Sequence, residues 1–423
     1  MMKLKPNRAV ITGIGPLAAN GIGTENFWAS LRAGRSGVGP ITLFDTHNHP
    51  AKVAGEITDF NPHDHLPPDL KPKRLARTTQ LALTALKFAL HNAGLESLLA
   101  NGQTAAVPVR SIPLFVGVSY SALDVIDKQV AIMLKKGPRF VGGHVVFTST
   151  PQAVAGALCS YLRAPAETTT LSTACAAGLD AVGWAAEAVQ SGRADLVIAL
   201  GADAPITPFG FASFAAAGLV SQSKGPPEKA SRPFDRERMS GIAAEGAGAL
   251  IIENLEHARA RGAVPYAEIT GYSSFNDGPD EPHAAGLERT MRTALANASH
   301  RAAHVDYLCA HGPGDPLLDR METAFIKKVF GEHAYRIPVS SIKGVTGNPL
   351  AAAGPLQVIA CALAMKHGLI PPTANFECGD ADCDLDYVGD GERRADLRCA
   401  LINSHGLGGT NSSLLVERVE AAE

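Results

Sequence analysis

Charge of one sign is missing from this chain. Its 423 residues hold 38 Lys and Arg against 41 Asp and Glu, a formal net charge of −3. Without a cationic excess there is no field to hold a phosphate backbone, which excludes the whole molecule as a nucleic-acid binder. Paired cysteine spacings are missing too. The seven cysteines are Cys159, Cys175, Cys309, Cys361, Cys378, Cys383 and Cys399. Cys378 and Cys383 stand close together, but no second pair completes a zinc ribbon. A secretory core is absent from the opening MMKLKPNRAVITGIG, and no later run reaches the ~18 uncharged apolar residues of a membrane span. The expectation is a cytoplasmic protein with reduced thiols, no metal and no membrane insertion. With 46% hydrophobic and 19% charged residues, the composition also excludes a disordered chain.

What is present is alternation. Short apolar runs at Arg8–Ile14, Ser111–Val118, Thr168–Ser172, Ala194–Leu200 and Ala247–Ile252 predict strands, with helices at Thr79–Ala93 and Glu253–Arg261. A second half starts near Val264. Its predicted strands are Ala267–Tyr272, Tyr307–Ala310, Ile337–Ser341, Arg398–Ile402 and Ser412–Arg418; its helices are Pro282–Ala298, Arg320–Phe330 and Leu350–His367. This pattern predicts an α/β protein with helices on both sheet faces. Thr373–Gly391 is acidic and broken by glycines, as a surface loop is. There is no strict repeat. Each half does contain a strand that runs into small residues, LSTACAAG at 171–178 and INSHGLGGTN at 402–411.

Cys175 stands where a β-branched strand meets a helix of small residues. Unpaired N–H groups and the positive end of the helix dipole favour thiolate there. The plainer alternative is a buried structural cysteine. Two further stretches share the strand-to-small-residue form: YLCAHGPGDPLLDRME at 307–322 and VSSIKGVTGNPLAAAG at 339–354.

Together with VITGIG at 10–15, SRPFD at 231–235 and AEGAGALIIENLEHARARGA at 244–263, these motifs resemble the β-ketoacyl synthase family of the thiolase superfamily. They are most similar to its elongating, carrier-protein-dependent branch in fatty-acid and type II polyketide synthesis. The resemblance spans nearly the whole chain. It implies a thiolase-like fold of two similar α/β halves, 1–262 and 263–423, stacked as an α-β-α-β-α sandwich. It implies that Cys175 takes an acyl group as a thioester. The N–H groups of Cys175 and Leu407 would form an oxyanion hole, on a tight turn with Gly408 and Gly409. His311 would polarise the malonyl carbonyl as CO2 leaves, and Lys343 and Glu322 would form a supporting charged pair. No cofactor is implied. The donor would be an acyl carrier protein or coenzyme A thioester, docking at Lys71, Lys73, Arg74 and Arg77, with Lys135, Lys136 and Arg139 a second basic cluster. The assembly would be a homodimer, with a heterodimer of related chains as the alternative.

Four departures bear on function. Asn348 replaces the second family histidine; its amide donates to an enolate oxygen but shuttles no proton. Pro313 and Asp315 replace threonines that contact the pantetheine arm. The gate reads His405-Gly406-Leu407-Gly408-Gly409, with histidine where phenylalanine is common; His405 is either an acid–base group or a polar filler. Arg238-Met239-Ser240-Gly241 replaces the usual Arg-Asp-Gly-Phe. Three readings follow: a decarboxylating Claisen condensing enzyme; an acyltransferase that passes the Cys175 acyl group to an alcohol, amine or water; or a partner subunit that shapes another synthase. A degradative thiolase is excluded because its second cysteine would lie in the Gly-rich turn, whereas Cys399 lies in the strand before it.

Overall fold

Strands buried on both faces need apolar residues on both, and Val, Ile, Leu and Ala runs supply them. The computed structural model describes residues 7–97, 112–163, 166–222 and 225–420. The first half runs β1 (Ala9–Ala18), α1 (Arg77–Asn92), β2 (Leu114–Gly117), α2 (Gln152–Leu162), β3 (Thr168–Leu171), α3 (Ala177–Gln190), β4 (Leu196–Asp203) and β5 (Gly246–Asn254). The second runs β6 (Ala267–Asn276), α4 (Gly286–Asn297), β7 (Tyr307–Cys309), α5 (Pro316–Phe330), β8 (Val339–Ser340), α6 (Ala353–His367), β9 (Cys399–Gly406) and β10 (Thr410–Glu417).

The two halves share one topology. The spatial orders are β3-β2-β4-β5-β1 and β8-β7-β9-β10-β6. In each, the first three strands are parallel and the last two antiparallel. Their edges meet where Ala9–Ile11 pair antiparallel with Ala267–Ile269, so the halves join in one continuous sheet path. Helix α1 covers the outer face of the first half, its Leu81, Leu83 and Leu86 in one core with Leu17, Leu114, Val116 and Ile251. Helices α4 and α5 cover the second, through Met291, Phe325 and Ile326. Helices α3 and α6 lie between the halves in one core with strands of both. The result is five layers, α-β-α-β-α.

The inner helices cross with no room to spare. A Cβ on Gly178 would drive into the Ala351 carbonyl, and one on Gly354 would strike Leu179. Both glycines are the second residue of their helix. Leu350–His367 is long and apolar enough to span a bilayer by length and composition, although Lys366 keeps it from being an uncharged run. Here 89% of that window is buried inside the protein, so a core helix accounts for its composition.

Several predicted boundaries shift for physical reasons. Glu253 and Asn254 belong to β5, and Asn254 caps the short helix Leu255–Ala260 by accepting from the Glu256 N–H. Asp315 caps α5 by accepting from Leu317 and Leu318, so that helix starts at Pro316 and not at Arg320. Residue 111, the start of one predicted strand, lies outside the described residues. Thr373–Gly391 is only partly the surface loop its composition predicted. Thr373, Cys383, Tyr387 and Val388 are buried, and Tyr387 stacks on Phe234 with centroids 4.1 Å apart.

Candidate active site

The site is assembled where strand ends of both halves meet the starts of α3 and α6. After β3 the chain makes a single 3-10 turn, Ala174–Ala176, with Ala174 at φ 51. That left-handed residue, sparsely populated for anything but glycine, turns Cys175 inward. After β8 the chain passes through Lys343–Thr346 and Asn348, then a second such turn, Leu350–Ala352, with Leu350 at φ 50. The β9–β10 hairpin supplies the third wall. Gly408 and Gly409 both have φ near +84, and only glycine takes that turn without strain.

Cys175 Sγ is 3.9 Å from Asn348 Nδ2 and lies within reach of the Leu407 N–H. Sequence reasoning favoured a thiolate here. Burial works against that expectation and pushes the Cys175 thiol up, while Lys343, Asn348 and the Leu407 N–H pull the other way.

His311 is buried behind the sulfur. Its Nδ1 receives the His405 backbone N–H at 3.1 Å and Lys343 Nζ at 3.0 Å. Two donors on Nδ1 leave the proton on Nε2. Burial and the Lys343 charge hold the ring neutral, well below the usual histidine range. Glu322 accepts the N–H groups of His311 (2.9 Å) and Gly312 (2.8 Å) and the Asn403 amide (3.1 Å). Lys343 Nζ also bonds the His311 carbonyl. Lys343 and Glu322 are therefore not a direct ion pair; each grips His311 from its own side. Lys343 is fully buried and its pKa is pushed down to about 8. Its backbone carbonyl accepts from Ser231 Oγ at 2.7 Å, which gives the SRPFD motif its place.

Cys175, His311, Asn348, His405 and Leu407 line one small cavity, with Phe214 and Ile242 as apolar wall. Its volume is about 60 Å³, the room of a few waters. Leu407 caps it and is 44% exposed. His405 is buried, with Nδ1 2.8 Å from Asn411 Oδ1. Gly241, one of the altered residues, lines the same cavity; a Cβ there would stand in tight contact with the Pro313 carbonyl at 3.3 Å. Arg238 is turned away into a buried clamp on Asp380 (2.6 Å). Asp315 lines the same cavity, and its carboxylate caps α5 by accepting from the Leu317 and Leu318 N–H groups.

Lys71, Lys73 and Arg74 are exposed on the turn before α1. Arg77 is not part of that patch. Its guanidinium holds the buried Glu245 at 2.6 Å and the Ile57 carbonyl at 2.9 Å. A contact 168 residues away in sequence gave no local signal. Sequence reasoning also missed Asp203. This buried carboxylate ends β4 and accepts the N–H groups of Ser119, Tyr120, Ser121 and Ala351. A lone acid closing the apolar run LVIALGAD was the available signal.

Comparison with known proteins agrees with this geometry. The family described as "Beta-ketoacyl synthase, N-terminal domain" matches residues 7–258, and "Beta-ketoacyl synthase, C-terminal domain" matches residues 266–377. The tetracenomycin polyketide synthase ketoacyl synthase alpha subunit of Streptomyces glaucescens is 36% identical, over 99% of each chain. The solved ishigamide ketosynthase/chain length factor superposes with a TM-score of 0.88 at 33% identity, covering 98% of this chain and 100% of that one. A type II polyketide acyl-carrier protein in complex with its ketosynthase bound to the hexaketide gives 0.88 at 30% identity, with the same coverage.

Proposed function

Since the chain belongs to the β-ketoacyl synthase family and is a condensing acyltransferase of the thiolase-like fold, we propose that Cys175, His311 and Asn348 carry its two half-reactions. In the first, an acyl thioester enters with its carbonyl oxygen between the N–H groups of Cys175 and Leu407. Sγ attacks, the carrier sulfur leaves, and the thiol proton ends on the departing carrier thiol. In the second, a malonyl thioester places its carbonyl oxygen against His311 Nε2–H and Asn348 Nδ2–H. The C–CO2 bond breaks, its electron pair forms the enolate, and the two donors hold the developing charge. The carbanion carbon attacks the acyl carbon, and Cys175 sulfur leaves as thiolate and takes a proton from water to restore the thiol. The product is a β-ketoacyl thioester two carbons longer.

The observation that carries this reading is the saturation of His311 Nδ1 by Lys343 and the His405 N–H. It leaves Nε2–H as a neutral donor that needs no proton transfer, so an amide such as Asn348 is a sufficient partner. The test is mass spectrometry of the protein loaded with an acyl thioester and then given malonyl thioester. An adduct on Cys175, CO2 release and a product two carbons longer support condensation. An adduct that persists with malonyl present but passes to an alcohol, amine or water points to acyl transfer instead.

The donor we favour is a carrier-protein thioester, with coenzyme A as the alternative, docking at Lys71, Lys73 and Arg74. The solved relative in complex with its carrier protein supports this. The segment 123–148 exposes Val130, Met133, Leu134, Phe140, Val146 and Phe147, with Phe147 at 77%. An apolar patch of this kind suits a subunit interface. A homodimer is the simplest assembly, with a ketosynthase/chain-length-factor type heterodimer as the other outcome of a mass measurement in solution. We place the division between the halves at residues 262 and 263, and the protein in the cytoplasm; its seven unpaired cysteines fit a reducing compartment.

A further inference from the structure

The second histidine of the cavity has its proton position fixed by its neighbours. Asn411 Nδ2 donates to Asp277 Oδ1 at 2.7 Å, to the Gly409 carbonyl at 2.8 Å and to the Phe275 carbonyl at 3.3 Å. Three acceptors on one end of the amide settle which end is nitrogen. Asn411 Oδ1 therefore faces His405 Nδ1, and Nδ1 must carry the hydrogen. Burial lowers the pKa of this ring, so it stays neutral and Nε2 is a bare lone pair. The two nitrogens of an imidazole point away from each other. With Nδ1 turned to Asn411, Nε2 is turned to the cavity that His405 lines.

His311 is the opposite tautomer. Its Nδ1 accepts and its Nε2 donates. The two rings stand 5.9 Å apart, so one cavity presents a donor and an acceptor side by side. The rest of the wall is mostly apolar, with Phe214, Leu219, Ile242, Leu350 and Leu407; its other polar members are Ser240, Asp315 and Asn348, whose Oδ1 has no hydrogen-bond partner among the described residues. His405 is also two residues before Leu407, whose N–H belongs to the hole for the thioester oxygen. A substrate atom that reaches Nε2 is thus within a few bonds of the thioester carbon.

We propose that His405 Nε2 is a specificity-determining acceptor that selects acyl thioesters with a hydroxyl donor close to the carbonyl, the 3-hydroxyacyl class, over saturated chains of equal length. The inference rests on acylation of Cys175 as proposed above. A chain that fills the cavity displaces the water Nε2 could bond; a saturated chain then leaves that lone pair unpaired, and a hydroxyl removes the penalty.

The test compares Cys175 adduct formation from 3-hydroxyoctanoyl and octanoyl thioesters of N-acetylcysteamine, followed by intact mass. The wild-type protein is expected to load the hydroxylated chain about 10–100-fold faster in kcat/KM, as one recovered buried hydrogen bond implies. His405→Phe removes the acceptor and should bring the ratio near one. His405→Gln restores an acceptor oxygen and should keep part of it, which separates hydrogen bonding from damage to the fold. Equal loading by the wild-type protein overturns the proposal, as does a ratio that survives His405→Phe. If neither thioester labels Cys175 while the protein is folded, the acylation reading fails first, and this inference with it.

Discussion

The corresponding strands β4 and β9 are both eight residues long, and each ends facing the elbow of the other half. The first closes on Asp203, the second on Gly406. Asp203 pushes its carboxylate onto the Ala351 N–H, and Ala351 is the counterpart of Cys175: each is the middle residue of a 3-10 turn that begins with a left-handed residue. Gly406 lies against Thr173 and the Cys175 N–H and has no side chain to put there. In one half the turn's N–H is taken by the protein's own carboxylate; in the other the place stays open, as the proposed oxyanion hole requires. The same topology thus yields a structural joint or the proposed catalytic centre according to a few residues at strand ends.

Making the first elbow a copy of the second should have the largest effect. Cys175→Ala is expected to abolish acyl adduct formation and to lower product formation by about 10⁶-fold, as removal of a nucleophile does elsewhere. Intact mass and product assays check it. Gly406→Asp would fill the open hole in the manner of Asp203, and even its Cβ would stand 2.6 Å from the Thr173 carbonyl. Adduct formation should slow by at least about 10²-fold, measured as a time course on protein shown to be folded by circular dichroism.

Asn348→Ala sharpens the comparison by separating the half-reactions. It removes one enolate donor, so malonyl decarboxylation should fall by about 10²–10³-fold while acyl loading changes far less; equal losses in both would sink the assignment. The pH profile should divide in the same way. Lys343, near 8, holds the proton that it donates to His311 Nδ1, so decarboxylation should decline as pH rises through about 8. Cys175 has its pKa raised, so loading should still be climbing there. Measuring the two steps separately from pH 6.5 to 9.5 tests this.

The smallest effect concerns stability. Burial pushes Asp203 up to about 6, against an ordinary value of 3.8. The folded state therefore binds this proton more tightly than the unfolded one. Its contribution is fully present below about 4 and is lost as pH rises through about 6. Above that, the ionised carboxylate still accepts four backbone N–H groups. Asp203→Asn should remove this pH dependence from thermal unfolding curves, and at neutral pH should cost about 1–3 kcal/mol for N–H groups left unsatisfied.

The stretches that carry Cys175, His311 and Asn348 were legible because each joins a short apolar run to small residues; the roles of His311 and Asn348 were legible only through the family resemblance. The fold class was legible from alternation alone. The internal symmetry was not, because topology repeats here while residues do not. By eye, LSTACAAG pairs with INSHGLGGTN. In space its counterpart is the turn at Leu350–Ala352, and INSHGLGGTN is a hairpin that closes over the first elbow. Arg77 read as surface charge because its partner Glu245 is distant in sequence. At Cys175 the sequence shows the helix start that favours thiolate but not the burial that opposes it.

The crossing at Gly178 and Gly354 fixes where change is possible. With no clearance at this axle, neither crossing position takes a larger side chain without moving a helix. Change is better placed at the rim: the Leu407 hairpin, the cavity wall at Gly241 and the exposed segment 123–148. A variant library seeking new chain lengths should therefore leave α3 and α6 untouched and spend its diversity on those three places.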